Sequence, residues 1–190
     1  MQGAFPAMVL AAMLAVSGAE AGGFDSEAVS GDLSAYQLVY VTPVTVALED
    51  VRGRYSPSGF GERAVSPSDA ARKAGDLREA LSEALARDFT LAAGPGAGVL
   101  TVAATLTKLR SSRPSIADYG ANPGLSFESV YAGGAAVRIE FSEEGRALGS
   151  VADDYDTSLG DGRPRIGTWD DADRAFASWA RRLPELIRKR

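Results

Sequence analysis

Three stretches of the chain alternate hydrophobic and polar residues, and this period of two predicts strands with one buried face. The first begins at Val99 and reaches about Arg110, with Leu, Val and Ala side chains on one side and mainly Thr on the other. The second covers 134–142 and the third covers 147–155. The sequence EEGR at 143–146 favours a tight turn between them. The second and third strands are therefore expected to be hairpin partners.

Two further segments have strand character. Residues 36–48 (YQLVYVTPVTVAL) are rich in Val and Tyr, and the even-numbered Tyr, Leu and Val residues share one face by a period of two. Pro43 lies inside this segment. Because proline lacks the N–H that pairs in a ladder, it predicts an edge position or a bulge. Residues 89–92 are a further, short candidate strand.

The first helix is predicted to begin next to Ser66. Ser66 can cap the helix, Pro67 suits the first helical position, and Asp69 completes a capping box. Apolar residues, Leu77 among them, then recur at helical spacing. The helix is expected to end near Arg87.

A second helix is predicted near the end of the sequence. Thr168 is expected to cap it, with Asp171 at the capping-box position. Its apolar stripe consists of Ala172, Phe176, Trp179 and Leu183. Pro184 should kink or break the helix, because its ring clashes with the preceding turn and it has no N–H to donate.

This order of elements predicts the α+β class. The expected architecture is a two-layer sandwich, in which two helices cover one face of a mostly antiparallel sheet of four to five strands. The expected domain organisation is a signal peptide over 1–21, a flexible, Gly-rich lead-in over 22–34, and a single α+β domain over 35–190.

The first 21 residues have features of a signal peptide. Residues 8–16 (MVLAAMLAV) form an uncharged apolar run, too short for a bilayer span of about 20 residues. Ala19-Glu20-Ala21 gives the small-x-small pattern of a signal-peptidase site. No Lys or Arg precedes the apolar run, and the alternative is an Ala-rich amino terminus without structure. We expect cleavage near Ala21 and a periplasmic or secreted location.

The same region is close to a lipoprotein processing site. Residues 16–18 (VSG) precede Ala19, which stands where a lipid-accepting Cys is required. Because the chain contains no Cys, we expect neither a lipid anchor nor a disulfide.

Composition limits the chemistry further. Removing 21 of 190 residues leaves 169, which is enough for one domain with a core. With Glu20 removed, 20 basic and 24 acidic residues give a net charge of −4, which argues against a nucleic-acid-binding protein. The absence of His and Cys excludes Ser-His and Cys-His nucleophile pairs and metal sites that need those ligands. We therefore expect no catalytic residue, no cofactor and no metal.

A set of residues spread over most of the chain carries a family resemblance. The matching positions are Tyr36, Val39, Tyr40, Val41, Pro43 and Val44, Pro95-Gly96 before Leu100, the run Gly133-Gly134-Ala135-x-Val137-x-x-Glu140, Gly145, and Trp169 with Trp179-Ala180. In their order and spacing they resemble a bacterial domain-of-unknown-function family, number thirty-three thirteen, many members of which look like envelope lipoproteins. The resemblance implies an exported α/β domain and no reaction. Ala19 departs from the lipoprotein members.

Two long aperiodic segments, 111–133 and 157–167, are expected to be loops. The strands that flank them are linked by the one hairpin at 143–146, so both loops should lie at the opposite end of the sheet. A third loop, 49–65, is expected to join them only if 89–92 is not a strand.

The first of these loops contains Tyr119, Phe127 and Tyr131. Loops of this length are usually functional or disordered, and aromatic side chains are the anchors that dominate interface energies. We expect these three residues to bind a partner, either an envelope protein or a glycan. The alternative is that they fold back to cover an open edge or face of the sheet.

Acidic residues give the alternative function. Glu140 with Asp153 or Asp154 across the hairpin would supply the two carboxylates of a hydrolase acting on envelope glycan. Cross-strand charge pairing explains the same residues without catalysis. Asp154 and Asp156 also start the spacing of a calcium loop, but the sequence lacks the Gly and the bidentate Glu that such a loop requires.

The basic residues Arg188, Lys189 and Arg190 suggest weak contact with a membrane surface, or a solvated helix end. The sequence as a whole favours an exported, non-catalytic envelope or periplasmic protein that binds a partner through its long loops.

Overall fold

The computed structural model describes residues 23–48, 65–113 and 132–190, with 159, 161 and 163 excepted. Its elements in chain order are β1 (Ser26–Val29), β2 (Leu38–Val41), β3 (Thr45–Val46), α1 (Pro67–Leu85), β4 (Thr90–Leu91), β5 (Val99–Arg110), β6 (Gly134–Glu143), β7 (Arg146–Asp156) and α2 (Asp170–Lys189). The described strands form one open seven-stranded sheet in the order β1-β7-β6-β5-β2-β4, with β3 also paired to β5.

The long strands of this sheet are antiparallel. β5 pairs with β6, β6 with β7, and β7 with β1, all antiparallel. The short strands β2, β3 and β4 pair in parallel with their neighbours. The predicted α+β class with a mostly antiparallel sheet is thus confirmed, and the predicted number of four to five strands is too small.

The prediction undercounted strands for two local reasons. Residues 22–34 were expected to be a flexible lead-in, but Ser26–Val29 pairs along β7 and Leu33 is fully buried. The predicted strand over 36–48 is two strands, β2 and β3, separated by three residues that include Pro43. In β2 the buried residues are Val39 and Val41 rather than the predicted Leu38 and Tyr40. Of the other predicted residues, Tyr36 is buried in the core, and Val44 and Leu48 pack against it.

The two helices lie side by side and parallel. Lys73 of α1 forms an ion pair of 2.5 Å with Asp173 of α2, and Asp88, just after α1, forms one of 2.9 Å with Arg188. Their apolar stripes share one core cluster with the buried face of β5 and β6. Leu77 is fully buried, which confirms the predicted phase of α1.

Both predicted helix starts were tested by the structure. In α1, Asp69 N donates to Ser66 Oγ at 3.1 Å with Pro67 in the first turn, as expected. In α2 the cap is Trp169 rather than Thr168, and its side chain makes no capping hydrogen bond. Pro184 does not end α2, which continues to Lys189.

Residues 49–64 of the predicted third loop lie outside the described residues, but the chain direction assumed for its position was wrong. Thr90–Leu91 is a strand. With a strand there, the prediction placed the 49–65 loop at the opposite end of the sheet from the loops 111–133 and 157–167. That prediction assumed a reversal of chain direction, whereas β4 runs parallel to β2. Ala47 N donates to Leu106 O at 3.0 Å, so the chain leaves β3 heading toward the end of the sheet where β5 finishes.

Candidate functional site

The sheet has two distinct ends. At one end the β6–β7 turn has positive φ at Glu144 (47°) and Gly145 (82°), as a tight hairpin requires. We call the opposite end the loop end; there β5 and β7 finish and β6 and α2 begin. The described ends of the two predicted loops meet there, as expected. Thr157 N donates to Gly133 O at 3.2 Å, and Ser112 N donates to Thr168 O at 2.7 Å.

One carboxylate joins these chain segments. Asp171 Oδ2 accepts hydrogen bonds from Ser112 Oγ at 3.0 Å, Gly133 N at 3.2 Å, Thr157 Oγ1 at 3.0 Å and Arg165 Nε at 2.6 Å. We call these five residues the Asp171 cluster. It connects the end of β5, the approach to β6, the end of β7, the second loop and the first turn of α2.

The central ion pair of the cluster, Asp171 with Arg165, is buried. The side chain of Asp171 is fully buried and that of Arg165 is 3% exposed. Burial alone would raise the pKa of Asp171, but hydrogen bonds from Arg165, Thr157 and Ser112 outweigh it, so the pKa lies below its ordinary value. The carboxylate therefore stays ionised at neutral pH. Arg174 NH1 adds a hydrogen bond of 2.7 Å to the other oxygen, Oδ1.

Local sequence explains how the cluster fits together. A Cβ at Gly133 would lie 2.6 Å from Ser112 Oγ and 3.0 Å from Asp171 Oδ2, so a larger residue there would displace the cluster. Ser112 Oγ also accepts a hydrogen bond from Asp171 N at 3.0 Å. A serine 59 residues away thus satisfies a backbone N–H of the first turn, and Asp171 points into the cluster instead of forming the predicted box with Thr168.

Within the second loop, several side chains hold the backbone of residues 164–167. Asp170 Oδ2 accepts from Ile166 N at 2.6 Å and from Gly167 N at 3.0 Å. Arg113 Nε donates to Arg165 O, and Arg174 NH2 donates to Pro164 O, both at 2.5 Å. No local pattern in the sequence indicated this arrangement.

The predicted binding residues Tyr119, Phe127 and Tyr131 lie outside the described residues. Their expected role is therefore still a prediction. The described residues Ser112 and Gly133 lie on either side of the undescribed part of this loop. Both belong to the Asp171 cluster.

The structure does not bring the alternative carboxylates together. Glu140 is opposite Ser150 and Asp154 is opposite Ala136, so they are four strand positions, about 13 Å, apart. That exceeds the roughly 5 to 9.5 Å between glycosidase carboxyl groups. Each has a cationic partner: Glu140 pairs with Arg138 at 3.1 Å, and Asp154 pairs with Lys108.

Asp153 lies on the other face of the sheet from Glu140, opposite the buried Val137. It accepts a 2.6 Å hydrogen bond from Trp179 Nε1 and another of 2.6 Å from Arg182 NH2. Asp25 N donates to its second oxygen at 3.1 Å. This carboxylate therefore joins Asp25, the residue before β1, to α2 and faces the core.

The basic residues at the end of α2 are partly neutralised. Arg188 pairs with Asp88 at 2.9 Å, and Arg190 pairs with Glu27 at 2.8 Å. Within the described ranges, no group of three or more acidic residues is arranged to hold a metal ion. No helix in the described part of the chain is both long and apolar enough to cross a membrane.

Comparison with known proteins identifies the family. The model of the family described as "Protein of unknown function (DUF3313)" matches residues 27–183, and the chain belongs to that family. No curated protein matches the chain.

Three solved structures are distantly similar. The PelC dodecamer from Paraburkholderia phytofirmans is 11% identical, with 82% of this chain and 95% of that chain covered and a TM-score of 0.45. A point variant of that dodecamer is 14% identical, with 83% of this chain and 94% of that chain covered and a TM-score of 0.44. Protein XCC0632 from Xanthomonas campestris is 12% identical, with 85% of this chain and 86% of that chain covered and a TM-score of 0.37.

Proposed function

We propose that this protein is exported to the cell envelope, that it is not an enzyme, and that it binds a partner through the loop end. The Asp171 cluster carries the proposal. One buried carboxylate joins Ser112 and Gly133, on either side of the first loop, to Thr157 and Arg165 of the second. Loops held at their bases lose less conformational entropy when they bind, which favours affinity.

Charge and burial at the loop end support binding rather than catalysis. Asp171 is the most deeply buried carboxylate described there, and its two oxygens accept from five donors: Ser112, Gly133, Thr157, Arg165 and Arg174. A general acid or base has to reach the substrate proton, directly or through one water. The function of Asp171 is therefore structural support of the surface that the loops form.

The envelope location rests on the sequence of residues 1–21. We expect the mature protein to begin at Gly22 and to be extracted from the envelope without detergent, because Ala19-Glu20-Ala21 fits a cleavage site and no Cys is present to carry lipid. Mass spectrometry of the native protein identifies its first residue, and extraction in salt buffer shows whether detergent is needed. A retained Met1, or extraction in detergent alone, would contradict this location.

The loop aromatics give the direct test of binding. Replacing Tyr119, Phe127 and Tyr131 together by Ala should abolish crosslinks to the native envelope, since truncating aromatic anchors removes most of an interface's binding energy. The thermal midpoint should change by less than about 2 °C if the rings face a partner, a shift equivalent to under about 1 kcal/mol.

A double variant, Leu38→Ala with Leu91→Ala, is the matched control, because both side chains are exposed, 40% and 42%, and lie on the short parallel strands. It should keep the crosslinks. Binding through loop aromatics is refuted if the triple variant keeps its crosslinks and loses several degrees of thermal stability, since the rings would then pack on the sheet.

A further inference from the structure

Residues 23–29, which we call the N-terminal segment, are attached to the rest of the fold along their length. The carbonyl oxygen of Gly23 accepts a hydrogen bond from Arg182 NH1 of α2. Phe24 is 7% exposed and belongs to the core cluster, and Ser26–Val29 pairs along β7. Tertiary contacts therefore hold this part of the chain from Gly23 onward.

Two charged side chains outside the segment hold its first residues. The guanidinium carbon of Arg182 lies 4.7 Å from the centroid of the Phe24 ring, and the same group donates to Asp153 at 2.6 and 3.2 Å. Asp25 N donates to Asp153 Oδ1 at 3.1 Å, and Asp154 N donates to Asp25 Oδ2 at 2.8 Å. Arg182 thus contacts both Gly23 and Phe24, and Asp153 joins it to Asp25.

The expected cleavage site comes directly before these contacts in the sequence. Cleavage adds water across the peptide bond between Ala21 and Gly22, which leaves a carboxylate on Ala21 and an ammonium group on Gly22. Consecutive Cα atoms are about 3.8 Å apart, so this bond lies within roughly 8 Å of Gly23. A protease that binds its substrate as an extended strand needs free backbone on both sides of the bond. On the carboxyl side, that backbone includes Gly23 and Phe24.

We propose that cleavage after Ala21 and docking of the N-terminal segment exclude each other, so that the protein is processed before its first strand joins the sheet. This proposal rests on the cleavage site of the proposed function and adds an order of events. A protease reaches a docked segment only while it is open, and the rate then follows the population of the open form. Because the contacts of Arg182 oppose opening, they slow the processing of any precursor that has already folded.

The test compares the folded precursor, residues 1–190, with a peptide of residues 1–30, which has the same cleavage site but neither β7 nor α2 to dock on. Both are incubated in detergent micelles with purified signal peptidase from the native host. Mass spectrometry follows the product that begins at Gly22, and circular dichroism checks that each precursor is folded. The peptide should be cleaved at least about 100-fold faster, because a segment packed in the core has to open first.

Arg182→Gln in the precursor should speed cleavage by roughly 10- to 100-fold, because the segment loses a hydrogen bond from a charged group and a cation–π contact. The substitution is distant from the cleavage site in sequence, so the site itself is unchanged. Arg181→Gln makes the same change at the exposed neighbouring position. That precursor should be cleaved at the rate of the unchanged one.

Leu77→Ala separates opening of the segment from a general loss of stability. Leu77 is fully buried in α1, and its truncation lowers the stability of the fold as a whole. Its cleavage rate should stay within about threefold of the unchanged precursor, because local opening does not require the rest of the fold to unfold.

Two results would overturn the proposal: a folded precursor cleaved as fast as the peptide, or an Arg182→Gln precursor cleaved no faster than Arg181→Gln or Leu77→Ala. In both cases, cleavage of the peptide after Ala21 would leave the expected export intact. A peptide that is not cleaved there would overturn the cleavage site itself, and with it the envelope location of the proposed function.

Discussion

Replacing Asp171 by Asn is expected to lower the free energy of unfolding by about 3–5 kcal/mol, the cost of removing one partner from a buried ion pair. The buried guanidinium of Arg165, 3% exposed, would lose the carboxylate that now accepts from its Nε at 2.6 Å. The new amide N–H groups would also face donors that now point at the carboxylate. Urea unfolding followed by tryptophan fluorescence or circular dichroism measures the change in midpoint.

Glu140→Gln is the matched control for this substitution. It also removes one carboxylate charge from an ion pair, but Glu140 and Arg138 are 59% and 58% exposed, and exposed pairs contribute about 0–1 kcal/mol. Equal midpoints for Asp171→Asn and Glu140→Gln would show that the Asp171 cluster does not support the loop end.

The same carboxylate predicts a dependence on acid. The folded-state pKa of Asp171 is lowered from 3.8, so its contribution to stability is fully present above about pH 4 and is lost as the pH falls through the folded-state pKa. The difference in midpoint between the unchanged protein and Asp171→Asn should therefore narrow over that range. Asp69 and Glu143, whose pKa values are lowered by hydrogen bonds from Arg72 and Arg146, are present in both proteins, and their effects cancel in this difference.

Trp179→Ala is expected to cost about 3–5 kcal/mol, the usual range for truncating a buried tryptophan. Its side chain is fully buried, contacts Phe176 with ring centroids 5.7 Å apart, and donates to Asp153 Oδ2 at 2.6 Å. Removing the indole leaves both a cavity and a buried carboxylate with one donor fewer. The urea midpoint is again the measurement.

Two further variants separate the cavity from the hydrogen bond. Trp179→Phe keeps most of the ring and should cost about 1–3 kcal/mol, mainly from the lost donor to Asp153. Asp154→Asn, at the neighbouring position on the outer face, where the side chain is 55% exposed, should change the midpoint little. A Trp179→Phe protein as stable as the unchanged chain would show that the Trp179–Asp153 hydrogen bond adds nothing.

Several parts of the fold followed from local sequence, because the forces involved act between residues close in the chain. Ser66, Pro67 and Asp69 form a start signal whose partners lie within one turn, and the structure has the predicted cap. The turn at 143–146 needs only two residues with positive φ. Period-two alternation over 99–110 and 134–142 predicted the core face of β5 and β6, since along most of each strand one face is more deeply buried than the other.

Predictions from short patterns failed where a neighbour from elsewhere in the chain changed the result. Ser26–Val29 lacks a strong strand pattern, yet it pairs along β7 because β7 would otherwise leave an open edge. β4 runs parallel to β2 because the chain crosses over through α1 between them. The two residues of β4, Thr90 and Leu91, carry no signal for that direction. Asp171 fitted a local capping box equally well, but a fuller set of donors from distant segments was available to it.

The sequence by itself determined the family, the α+β class, the two helices and the hairpin. It also placed the described ends of two loops together at one end of the sheet. Alternation, capping residues and chain reversal are local signals, and local signals suffice for these features. Only the tertiary structure decided which polar groups meet: Asp171 with Ser112 across 59 positions and with Gly133 across 38, and Asp153 with the buried Trp179. A carboxylate has the same one-letter code whether it caps a helix, pairs on a surface or accepts hydrogen bonds in the interior. The donors that distinguish these roles are brought to it by the fold.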